Sequence, residues 1–224
     1  MQLKKHLNMI KRPLKIAAYA GLALLIIAIV SNIISQVTTY YNVESTFLNG
    51  FFVLIGWIEL VLSIFFTYGF IILGRKYKSK LLVVMSWITI VLIVLLLLSS
   101  FVGTILKMIK PVSAADSSIN TIISSADSSN PNLLSNLTPE QEKLVVIAFI
   151  ITWIAISIIL GILSILWGIG LLNLGKNVKY AKTSGILNIV AGATYIAFIG
   201  FLIQLIAFIF EIVLLFKISK KLEK

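Results

Sequence analysis

The chain has 224 residues, 59% of them hydrophobic and only 12% charged, with a formal charge of +11 and no cysteine. Such a composition excludes an ordinary soluble domain, and the lack of cysteine excludes disulfides, thiol catalysis and thiolate-bound metals. A single histidine, His6 in the basic N-terminal stretch, leaves little for imidazole-based catalysis or metal binding, so neither an enzyme nor a cofactor is expected.

The first element opens with Lys4, Lys5, Lys11, Arg12 and Lys15 and continues as an apolar run. No small-x-small cleavage site follows, so the run reads as an uncleaved span over about 16–37. A short connection with Tyr40, Tyr41 and Glu44 suits an interfacial aromatic belt. A second span over about 47–73 leads to Arg75, Lys76, Lys78 and Lys80, and a third covers about 81–106. Residues 107–138 form a Ser/Asn-rich polar segment. Within it Ala115-Asp116-Ser117-Ser118 recurs as Ala126-Asp127-Ser128-Ser129, and Asn136-Leu137-Thr138 fits an N-glycosylation acceptor. The fourth span, about 139–174, starts with Thr138 as cap, Pro139 as first helical residue and Gln141 as capping-box partner. At about 50 Å it must tilt or project.

The last apolar stretch, from Thr183 to Ser219, is too long for one crossing. Two crossings over about 184–198 and 200–216, turning near Gly200, fit it better. The expected fold is therefore all-α, a polytopic transmembrane bundle with six spans favoured and five as the alternative.

Charge sets the expected orientation. Sixteen of the nineteen Lys and Arg lie in residues 4–15, 75–80, 176–182 and 217–224. Basic residues near span ends mark the cytoplasmic face, so six spans put both termini in the cytoplasm of a cell-membrane protein. The partners implied are anionic lipid headgroups, attracted at about 1 kcal/mol per basic residue, rather than nucleic acid.

Two units match at an offset of 101: Gly69, Leu73, Gly74, Arg75, Lys78 and Gly170, Leu174, Gly175, Lys176, Lys179. Each reads as a helix stop in which the second glycine takes the left-handed conformation and bases follow. A parallel internal repeat and convergence on the same stop chemistry both explain the match. The stretch from Trp167 to Ser219, with Leu174-Gly175-Lys176, Ser184-Gly185 and Ile199-Gly200-Phe201, resembles the C-terminal half of uncharacterised, mainly archaeal multi-pass membrane proteins. The segment around Gly56-Trp57 and Leu73-Gly74 is similar in style to their N-terminal half. The resemblance implies a multi-helix membrane fold and carries no activity or site residues.

Four polar side chains stand out in the apolar runs. Glu59, sixteen residues before Arg75 and twelve after Phe47, falls near mid-membrane. A charged carboxylate there costs on the order of 3 kcal/mol, so it must face protein or water, or be protonated. It reads as a proton- or cation-binding group, or structurally as a neutral acid bonded to Ser, Thr or Asn on a neighbouring helix. Glu211, six residues before Lys217, is expected to be structural, reaching the inner interface or a basic partner. Gln204 and Asn188 are expected to join helices, with Gln204 and Glu211, seven apart, on one helix face. Small residues Ser157, Gly161, Ser164 and Gly168, and Ala17 with Gly21, can pack the bundle or support a homo-oligomer.

The functional expectation is a non-enzymatic structural or accessory membrane component. The alternative is a small secondary transporter or channel using Glu59, with a polar path through Glu59, Gln204 and Asn188. Glu59 packed dry or against lipid favours the first; Glu59 lining a cavity favours the second.

Overall fold

The computed structural model describes residues 2–41, 46–109, 139–174 and 178–221, and these residues contain helices and turns but no strand. Six α-helices follow in order: α1 Gln2–Tyr40, α2 Thr46–Lys76, α3 Lys80–Ile109, α4 Pro139–Leu172, α5 Lys179–Thr194 and α6 Ile199–Lys221. In hydrocarbon every backbone N–H and C=O must be paired within the segment, and uninterrupted Leu, Ile and Val runs satisfy this as helices. The apolar parts of α1, α2, α3, α4 and α6 are each long enough to cross a membrane. The sixth, α5, has 16 residues and is about 24 Å long; the 3-10 turn Tyr195–Ala197 extends it to about 30 Å. Pro139 does open α4. Thr138, the Ser/Asn-rich segment 110–138 with its echo and glycosylation pattern, Glu44 and Gly175 lie outside the described residues.

The helices run up and down in sequence, and each packs on its neighbour in the chain. Ala17 meets Gly69 between α1 and α2, Leu82 meets Gly170 between α3 and α4, and Tyr19 packs edge-on to Phe216, so α6 closes the ring onto α1. This alternation gathers the start of α1, the α2–α3 turn, the start of α5 and the end of α6 at one end of the bundle. There Lys217 Nζ donates to Tyr180 Oη (2.7 Å) and Ser79 Oγ donates to the Gly170 carbonyl (3.0 Å). The described residues of the four basic groups therefore share one end.

The main apolar core sits at that end, with Leu14, Phe70, Leu73, Leu82, Leu171 and Leu215 among its fully buried side chains. Toward the other end the helices carry exposed apolar residues such as Ile33, Leu54, Leu95, Leu96, Phe149 and Leu202. So much apolar surface on so many helices is what a protein bathed in lipid presents.

At two turns the left-handed position is held by a residue other than glycine. The left-handed residue after α2 is Lys78 (φ 59°), not Gly74, and no described glycine has positive φ. Ser79 N donates to Gly74 O (2.8 Å) and Lys78 N to Arg75 O (3.4 Å), the Schellman pattern with Lys78 where glycine is usual. Gly74 stays helical because α3 lies on it: a Cβ there would come within 2.7 Å of Val83 Cγ2. Similarly, the reversal between α5 and α6 turns on Phe198 (φ 60°), two residues before Gly200. Gly200 instead begins α6 against the Ala191 carbonyl, where a Cβ would sit at 2.5 Å. Stacking of Phe198 on Trp153, ring centroids 4.4 Å apart, helps hold this turn.

Candidate functional site

Two polar regions lie within the bundle, at different depths. The deeper one joins α4, α5 and α6. Glu211, only 3% exposed, accepts at Oε1 from Trp167 Nε1 (2.9 Å) and Asn188 Nδ2 (2.8 Å), with Ser184 Oγ at 3.5 Å. Asn188 Oδ1 accepts from Gln204 Nε2 (3.0 Å), and Ser164 Oγ lies 3.0 Å from Gln204 Oε1 and 2.8 Å from the Asn188 carbonyl. The helices supply these groups at helical spacing: Ser184 and Asn188 are one turn apart on α5, while Gln204 and Glu211 are two turns apart on α6. The arrangement closes on itself. A buried polar group is costly unless paired, and here most partners come from a neighbouring helix, with Asn188 Nδ2 also donating to the Ser184 carbonyl of its own helix (2.9 Å).

Glu211 thus joins helices, in keeping with the structural role expected of it, although its described partners are an indole, an amide and a hydroxyl rather than a base. Gln204 and Asn188 do join helices. Sequence reasoning missed Trp167 and Ser184 as members of this cluster and took Ser164 only as a small residue. The i, i+4 pair Ser184/Asn188 was the available signal.

The second region surrounds Glu59. An open cavity of about 530 Å³ is lined by Leu24 and Ala28 of α1, Val53, Gly56, Trp57, Glu59, Leu60 and Ser63 of α2, Ser100 of α3 and Phe208 of α6. Ser31 Oγ stands 3.5 Å from Glu59 Oε1, but the same hydroxyl donates to the Ile27 carbonyl at 2.7 Å. One hydroxyl has one proton, so the short bond holds it and the long contact is weak. The Ser63 hydroxyl is engaged with the Glu59 main-chain carbonyl (2.8 Å), not with its carboxyl. Trp57 Nε1, a buried donor on the cavity wall, has no hydrogen-bond partner among the described residues.

Glu59 therefore does not join Gln204 and Asn188 in one polar path. An aromatic column stands between the two regions. Phe208, on the cavity wall, contacts Phe66 (4.8 Å between centroids), Phe66 contacts Phe70 (5.2 Å) and Phe70 contacts Trp167 (5.1 Å), the donor to Glu211. Gly21 of α1 makes room for this column, since a Cβ there would come within 2.5 Å of the Phe66 ring. Among the described residues, no group of His, Cys, Asp and Glu is placed to hold a metal ion. No protein-family model, curated protein or solved structure matches the chain.

Proposed function

We propose that this is a six-crossing protein of the cell membrane, both termini on the cytoplasmic side, working as a small secondary transporter or channel through Glu59. The observation that carries this reading is the placement of Glu59 on the wall of an open cavity, where its carboxyl has no strong hydrogen-bond partner among the described residues. A carboxyl at that depth is costly to maintain, and one committed to joining helices is expected to find a donor, as Glu211 does. The six crossings are supported by the up-and-down ring, in which α5 with its 3-10 extension matches the hydrocarbon thickness. Orientation rests on the basic residues gathered at one end, which suit anionic headgroups. The first Gly-x-x-x-Leu-Gly unit and the described Gly170 and Leu174 of the second lie near that end, which fits a parallel repeat.

The test is proton and cation flux in proteoliposomes, natural protein against Glu59→Gln. Flux that vanishes in the variant, with folding intact, makes Glu59 the conducting or coupling group. Absence of flux in both forms returns the protein to a structural or accessory role. That second reading has its own support in the closed cluster around Glu211, where intramembrane polarity serves helix packing alone.

A further inference from the structure

We infer that the Glu59 cavity takes a lipophilic organic cation, a protonated amine or quaternary onium centre carried on an apolar body. The inference rests on the transport reading and narrows it to a class of ligand. Among the described residues of the cavity wall Glu59 is the only charged one, so an anion would meet no counter-charge from them. A bare inorganic cation fits poorly as well. Hard cations require about six oxygen ligands, whereas the described side chains of this wall offer one carboxylate and the hydroxyls of Ser63 and Ser100, and the Ser63 hydroxyl donates to a main-chain carbonyl.

The rest of the wall is aliphatic or aromatic, through Leu24, Val53, Leu60, Trp57 and Phe208. About 530 Å³ lies within the range of small-molecule sites, which pair an apolar lining with a few polar groups that fix orientation. Tryptophan and phenylalanine attract cations through their ring faces, adding to the carboxylate. Gly56 completes the picture: a Cβ built there meets nothing within 4 Å, so this position leaves the space on that side of α2 open.

Equilibrium binding of tetraphenylphosphonium to the full-length protein in lipid nanodiscs tests the inference, with neutral triphenylphosphine oxide as the uncharged comparison. We expect saturable binding of the cation, weakened at least tenfold by Glu59→Gln and at least tenfold by Gly56→Leu, and much weaker binding of the neutral probe. Gly56→Leu fills the cavity where the chain has no atom to displace, so it reports even if Glu59→Gln impairs folding. Equal binding of both probes, insensitive to Glu59→Gln, would make the cavity an apolar slot for lipid chains and overturn the inference. Absence of cation binding would overturn it too. If Glu59-dependent proton or sodium flux survived in that case, the transport reading would stand without this ligand class.

Discussion

At the scale of single residues, the contrast between the two intramembrane carboxyls is the main result. Glu211 holds Trp167 and Asn188 by short bonds and Ser184 by a longer one, linking three helices through one oxygen. Hydrogen bonds between membrane helices average about 0.6 kcal/mol, so Glu211→Ala, which loses all three and leaves a void, should cost about 2–3 kcal/mol. Glu211→Gln retains an acceptor oxygen and should cost less than about 1 kcal/mol. Thermal unfolding in a mild detergent distinguishes them; equal melting temperatures for the two variants would show that the cluster does not clamp the helices. Glu59 behaves differently because its neighbours ask nothing of it: Glu59→Gln and Glu59→Ala should both unfold within a few degrees of the natural protein. Sequence could name Glu59, Asn188, Gln204 and Glu211, since polar residues in apolar runs are conspicuous. It could not rank them, because ranking depends on which donors neighbouring helices bring, and Trp167 is an unremarkable membrane residue until its N–H is seen facing Glu211.

Among the helices, α4 and α5 approach most closely, and glycines permit it. Gly161 and Gly192 face each other, as do Gly168 and Gly185, in two reciprocal pairs seven residues apart on each helix. A Cβ on any of the four would come within 2.5–2.7 Å of a backbone oxygen on the opposite helix. A carbonyl cannot rotate away as a side chain can, so the helices themselves must separate. That separation would also lengthen the Ser164 bond to the Asn188 carbonyl, which lies between the pairs. Gly192→Val should therefore lower stability by at least the 1–3 kcal/mol typical of overpacking. Gly50→Ala, where a Cβ meets nothing within 4 Å, should be neutral or stabilising by up to about 1 kcal/mol. If the two substitutions shifted the unfolding temperature alike, the close approach of α4 and α5 would be wrong. The small-residue pattern on α4 was visible in the sequence; that its face is covered by α5 was not, because the matching glycines on α5 are also seven apart and lack the small-xxx-small spacing. The turns were legible to within a few residues. Their left-handed positions were not, since glycine is the usual choice and tertiary contact assigned Gly74 and Gly200 to close packing instead.

For the whole molecule, the closed ring couples topology to the shape of the cavity. Six antiparallel neighbours bring α6 back to α1, and the tightest packing lies at the basic end. The Glu59 cavity lies toward the looser end, with the Phe208–Phe66–Phe70 column on its basic side. In the proposed orientation the cavity lies nearer the outer face than the Glu211 cluster does. That arrangement depends on α5 being a true crossing, because a re-entrant α5 would leave α6 to carry Lys217, Lys220, Lys221 and Lys224 to the opposite face. The absence of native cysteine makes the question directly answerable, since any introduced thiol is the only one in the chain. Leu3→Cys, Ser129→Cys and Lys224→Cys should be labelled separately with an impermeant maleimide on intact cells and on inverted vesicles. Six crossings require positions 3 and 224 to react only in inverted vesicles and position 129 only in intact cells. If position 224 instead reacted in intact cells with position 129, the chain would cross five times. The last four lysines would then contradict the charge rule, and the ring's closure of α6 onto α1 would have to be abandoned with it, because both helices could no longer run antiparallel through the same membrane.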